Sequence, residues 1–201
     1  MLYKKELDQV KKILLWLNAN GRHAIELSET FAFPAYDVSI RNAIKGTNKV
    51  RCYNTCMIAL HVEFILALMR MYDTYKGNTA CFEALFKYLS NDFIRHHEAS
   101  SHTTIAESIH TALNHYKALK GSHVLGRLKT VRNKMFTHTS TRFNRSQIAE
   151  YEDADKLLNK TLPILNIINY AITGKEEPFG NISRWWRGYS RDFWSVYSNE
   201  H

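Results

Sequence analysis

Apolar residues recur at helical steps along most of the chain. Leu7, Val10, Ile13, Leu14, Leu15 and Leu17 form one face of a helix predicted over 4–19, with "NANGR" expected to end it. Residues 28–49 read as irregular, punctuated by Pro34 and Gly46, with room for a short helix near 36–45. The stretch from about Asn54 to Tyr75 is apolar on most sides and reads as a central helix, broken by Gly77-Asn78. "TACFEALFKYLSNDFI" is a third strong helix, and "RHHEASSH" follows as a loop. Thr104 and Glu107 have the spacing of a capping box, which starts a helix running to about Lys120. Gly121-Ser122 separates it from a helix over 123–137. Ser146 is a plausible N-cap for a long helix through Ile172, with Pro163 as a kink. The tail "NISRWWRGYSRDFWSVYS" reads as a further short helix after a Gly/Pro linker.

No alternating strand pattern interrupts this series, so the expected class is all-α, an up-and-down helical bundle. The expected division is a bundle over 1–173 and a Trp/Arg-rich extension over 174–201, packed on the bundle or on a partner. With 201 residues, 8 Gly and 3 Pro, the chain is long enough to bury a core and has few helix breakers. The start, "MLYKKELDQVKKILLWL", spaces charges between its apolar positions and does not read as a signal peptide. "MIALHVEFILALM" is interrupted by His61 and Glu63 and reads as too short to span a bilayer, so no membrane is expected. Cys52, Cys56 and Cys81 are odd in number and lack CxxC spacing, which fits a reducing cytoplasm.

Charge narrows the picture. The net charge is +8, and no acid occurs between Glu107 and Glu150. That span holds Lys117, Lys120, Arg127, Lys129, Arg132, Lys134, Arg142 and Arg145. A positive field of this kind favours a polyanion, most simply a nucleic acid. The bland alternative is a solvated basic face.

Within this span, "VRNKMFTHTS" ends the helix over 123–137. At 100° per residue Val124, Leu128, Val131 and Met135 share one stripe, with Arg132 on one shoulder beside Leu125 and Phe136. His138, if the helix continues, falls on the opposite shoulder. One helix does not focus both on one phosphate, but two copies about a two-fold axis could. The fitting chemistry is RNA cleavage without a metal. The 2′-hydroxyl is an internal nucleophile, and a histidine titrating near neutrality can take its proton or protonate the leaving 5′-oxygen. An arginine can hold the nonbridging oxygens and stabilise developing charge. Asn133 can orient the histidine or the phosphate. Lys129, Lys134, Arg142 and Arg145 are the candidate RNA-backbone contacts. Against this, a His at a helix C-terminus is favourable by itself, and an Arg on a helix shoulder usually pairs with an acid.

"RNKMFTH" resembles the Arg-polar-x(3–5)-His motif of the HEPN superfamily, and "LKTVRNKMFTHTS" is similar to the corresponding region of abortive-infection HEPN proteins of the AbiU type. The resemblance covers about residues 50–172. It implies a helical bundle that dimerises with its motifs facing each other, and endoribonuclease activity as a toxin or antiviral effector against tRNA or mRNA. It carries over Arg132, Asn133 and His138 as catalytic residues, with no cofactor, and an antitoxin protein as a further partner. Ser140 stands where relatives paired with a nucleotidyltransferase antitoxin carry a tyrosine, which argues against control by adenylylation there.

His96, His97, Glu98 and His102 are metal-capable types, but their spacing matches no helix-borne zinc pattern, and no metal is expected. Trp185, Trp186 and Trp194 among Arg184, Arg187 and Arg191 could stack bases; packing of the aromatics is the favoured reading. His110 and His115 lie in the preceding helix. The rival to a nuclease is a noncatalytic helical module that binds nucleic acid, a nucleotide or an antitoxin partner. A purely structural dimerisation protein is a third reading.

Overall fold

A computed structural model describes residues 2–74, 80–89, 93, 103–137 and 151–197, with only the backbone for 2, 3 and 134–137. Eight helices and no strand occur among these residues: α1 (Leu2–Tyr36), α2 (Val38–Ile44), α3 (Lys49–Met71), α4 (Phe82–Tyr88), α5 (Thr103–Lys120), α6 (His123–Thr137), α7 (Tyr151–Thr173) and α8 (Phe179–Ser195). The all-α expectation holds. The chain forms two compact units, one from 1–21 and 68–177, the other from 22–67 and 178–201.

The first departure from the sequence reading is α1, which does not stop at "NANGR" but continues to Tyr36. A glycine inside a helix costs only about 1 kcal/mol, and the apolar face goes on through Ala24, Ile25 and Leu27, all buried. The polar residues that look like a stop are used in place. Asn20 donates back to the Trp16 carbonyl at 2.9 Å. Asn18 and Asn169 exchange two amide hydrogen bonds, 2.8 and 2.9 Å, deep in the first unit. A buried amide pair of this kind satisfies both partners and fixes the register of α1 on α7.

In the first unit α5 and α6 pack on α7. Its core includes Leu14, Leu17, Leu85, Ile109, Leu125 and Leu128, together with Ile164, Leu165 and Ile168 of α7. α7 contains Pro163 and ends at Gly174, whose φ of 71° suits a residue without a side chain.

The second unit is built on a proline. Pro34 lies in the last turn of α1 and has no N–H for the Thr30 carbonyl four residues back. Trp194 of α8 donates its indole N–H to that carbonyl at 3.2 Å. The same helix ties Arg187 to Glu29 through two bonds of 2.9 and 3.0 Å. Trp194, Ile40 and Met57 then form a buried cluster, flanked by Tyr53 and Tyr197. Asp37 caps α2 by accepting from the Ile40 N–H at 3.1 Å. The tail is a helix of 17 residues, as its sequence suggests, starting two residues earlier than the expected stretch.

α3 is also longer than its most apolar run, and by length and composition it could cross a bilayer. Phe64, Ile65, Ala67, Leu68, Met69 and Met71 on it are all fully buried in protein packing.

Candidate functional site

The site starts with the register of α6. Ser122 caps the helix, its hydroxyl accepting from the Leu125 N–H at 3.3 Å. Leu125, Leu128 and Val131 are buried, whereas Val124 is half-buried. The buried stripe is therefore turned from the expected centre toward the shoulder that carries Arg132. As a result the Arg132 side chain is only 24% exposed and its guanidinium is held at the edge of the core.

Two groups hold it. One Nη donates to the carboxylate of Asp73. Nε and the other Nη donate to the Asn133 side-chain oxygen at 3.3 and 3.2 Å. Asn133 therefore orients the arginine beside it. Asp73 is the residue that the sequence reading misses. It lies just past the end of α3, where an acid is unfavourable with the helix dipole. An acid at such a place is the signal that could have marked it.

Packing around Tyr72 positions Asp73. The Tyr72 ring lies 5.3 Å from Phe82 and 6.2 Å from Tyr116, and its hydroxyl is 2.7 Å from that of Thr161. Thr161 donates onward to the Leu157 carbonyl at 2.7 Å. Burial pushes the Tyr72 phenol well above its ordinary range. Tyr72 is thus a neutral anchor, and the next residue points its carboxylate at Arg132.

Three cations of the basic run find acids from outside the acid-free span, Arg132 among them. Arg127 makes a two-bond fork to Asp153, 2.8 and 2.6 Å. Lys120 reaches Glu83 at 3.1 Å, and this bond raises the ammonium pKa. Lys129 has no carboxylate at salt-bridge distance among the described residues. His138, Arg142, Arg145 and the Lys134 side chain lie outside the described residues, as do Ser140, Ser146, His96, His97, Glu98 and His102. No group of three metal-capable side chains occurs among the described residues. His110 is exposed. His115 lines a recess of about 390 Å³ with Ser122, Asn159 and Lys160, a lining that does not include Arg132.

The tryptophans of the tail divide. Trp194 is buried and Trp185 is exposed, while Trp186 is half-buried with its ring edge-on to Tyr189 at 5.9 Å.

The family model of the HEPN protein AbiU2 matches residues 5–193, and the chain belongs to that family. The match extends well beyond the 50–172 stretch that carries the motif resemblance, and takes in α1 and most of α8. No curated protein and no solved structure matches the chain.

Proposed function

We propose that this AbiU2-family protein is an endoribonuclease of abortive-infection type, cleaving tRNA or mRNA by attack of the 2′-hydroxyl on the adjacent phosphate. His138 takes the 2′-hydroxyl proton. The 2′-oxygen bonds to phosphorus, the 5′-oxygen leaves and takes a proton from water, and a 2′,3′-cyclic phosphate remains. The chemistry uses a nucleophile that the substrate carries, so it needs no metal-bound water. Arg132 stabilises charge on the nonbridging oxygens, and Asn133 keeps its plane in place. Lys129, Lys134, Arg142 and Arg145 hold the RNA backbone. Two copies bring the motifs together in a shared cleft, and an antitoxin protein is the controlling partner. A cytoplasmic setting suits the RNA substrate and the free thiols of Cys52, Cys56 and Cys81.

The observation that carries this reading is the fixing of Arg132 beside Asn133 on the motif helix. A guanidinium already oriented loses little freedom when a phosphate arrives. The same ion pair to Asp73 favours the second reading, in which Arg132 is a structural residue of a noncatalytic binding module. Cleavage of labelled tRNA and mRNA in EDTA separates the two, with His138→Ala and Arg132→Ala in parallel. The nuclease reading expects cyclic phosphate ends from the wild type and from neither variant. Equal cleavage by all three, or cleavage by none, removes it in favour of the binding module.

A further inference from the structure

The second unit contains a cleft of about 720 Å³, within the usual range of about 300–1,000 Å³ for small-molecule sites. One wall is a single stripe of α3: Lys49, Cys52, Tyr53, Cys56, Leu60 and Glu63, at helical steps. From Lys49 to Glu63 this stripe runs about 21 Å at 1.5 Å per residue. The facing walls bring Leu27, Ile44, Phe193 and Trp194.

The polar groups of those walls are largely spent inside the protein. The Trp194 indole N–H goes to the Thr30 carbonyl, and the Tyr53 hydroxyl donates to the Pro34 carbonyl at 2.8 Å. What faces the cleft is therefore apolar along its length, with charge at its two ends. The Lys49 end is positive. Its ammonium lies 6.0 Å over the Tyr197 ring, Lys45 and Arg51 are close in sequence, and the first turn of α3 has no acid. The Glu63 end is negative, and its carboxylate is 3.7 Å from His23 Nε2.

We propose that this cleft binds a long-chain monocarboxylate, with its carboxylate at Lys49 and its chain laid along α3 toward Glu63. The length of the stripe suits an extended chain better than a compact ring. The sign of the two ends sets the direction, because a carboxylate at the far end would meet Glu63. Lys49 can keep its position over Tyr197 while it donates to the ligand, since an ammonium has three N–H groups. Cys52 and Cys56 are exposed thiols on the cleft wall, one turn apart, whereas Cys81 is buried. They give a direct readout of occupancy.

The test uses sodium palmitate below its aggregation concentration, with its uncharged methyl ester as the comparison. Titration calorimetry and the rate of maleimide alkylation at Cys52 and Cys56 are followed together. The expected result is saturable binding of one palmitate per chain and at least tenfold slower alkylation. The methyl ester, or Lys49→Met with palmitate, binds about tenfold more weakly, as expected for loss of one charge-assisted hydrogen bond. Ala59→Trp fills the cleft from an exposed position and abolishes binding, with an unchanged melting temperature as the check on folding. Equal affinity for acid and ester overturns the assignment of the head group. Absence of saturable binding overturns the site. Protection of the thiols that depends on protein concentration and not on palmitate overturns it too, because a second copy would then occupy the cleft.

Discussion

The two halves of α6 carry arginines in the same chemical partnership with different geometry. Near the start, Arg127 closes a fork on both oxygens of Asp153, a carboxylate only 10% exposed in the first turn of α7. Five residues on, Arg132 divides its donors between one oxygen of Asp73 and the side-chain oxygen of Asn133. The first arrangement saturates an acid that has left water. The second fixes a guanidinium whose acid is 37% exposed and whose other acceptor is a neutral amide. Sequence alone shows two arginines in an acid-free run. The partners set them apart: Arg127 joins α6 to a nearly buried acid of α7, whereas Arg132 meets an acid that water reaches and a neutral amide.

The sharpest way to break this comparison is to remove both arginines in turn and measure RNA cleavage. On the proposed function, Arg132→Ala lowers kcat by roughly 10²–10³, and His138→Ala by roughly 10²–10⁴. Arg127→Ala leaves cleavage per folded molecule unchanged. If Arg127→Ala proves as damaging as Arg132→Ala while the protein stays folded, the distinction between the two has no basis.

Stability should rank them the other way. Arg127→Ala leaves a nearly buried carboxylate with its main partner gone, which costs about 1–3 kcal/mol. The N-terminal end of α7 moderates that cost through its dipole. Arg132→Ala strips a partner from an acid that water can reach, worth at most about 1 kcal/mol. For a chain of this size each kcal/mol lowers the melting temperature by about 2–4 °C. Differential scanning calorimetry of both variants is the measurement, and a larger drop for Arg132→Ala would contradict the assignment.

How far this contrast can be read from sequence depends on distance along the chain. α6 starts at 123 in the periodicity and in the structure, because its signals are local: a Ser cap, a Gly before it, and leucines at helical steps. The motif whose resemblance points to the family starts on the same helix, at Arg132. Partners drawn from elsewhere are not legible. Asp73 and Arg132 are 59 residues apart, and nothing in the periodicity pairs them. The length of α1 escapes the sequence for a related reason. Asn18 and Asn20 look like a helix stop until Asn169 and the Trp16 carbonyl take their amides. The role of Pro34 likewise depends on Trp194, far along the chain, filling the acceptor that the proline leaves open.

Asp73→Asn sharpens the comparison at its centre. The substitution removes a negative charge beside the place where the proposed function puts a phosphate, but keeps the shape. RNA affinity at low salt should rise a few-fold, since the repulsion is partly screened by water. Because the amide accepts more weakly, Arg132 is held less firmly and kcat should fall by a similar factor. The same change at Asp153 should alter neither. A rise in kcat for Asp73→Asn would show the carboxylate to be a brake on Arg132 and not its positioning partner.

The smallest effect tests charge alone. A cation already neutralised inside the protein displaces few counterions when RNA binds, whereas an unneutralised one at the interface displaces its share. Lys129 has no carboxylate at salt-bridge distance among the described residues, while Arg127 is closed on Asp153. If Lys129 touches one phosphate of single-stranded RNA, Lys129→Ala lowers the slope of log K against log salt by about 0.7. Arg127→Ala should leave that slope in place, even though it removes the same formal charge. Fluorescence anisotropy with a labelled RNA in the inactive His138→Ala background, over a salt series, gives both slopes. Equal slopes for the two variants would mean that the ion pair on α6 opens when RNA binds, and the two halves of the helix would then have to be treated as one basic surface.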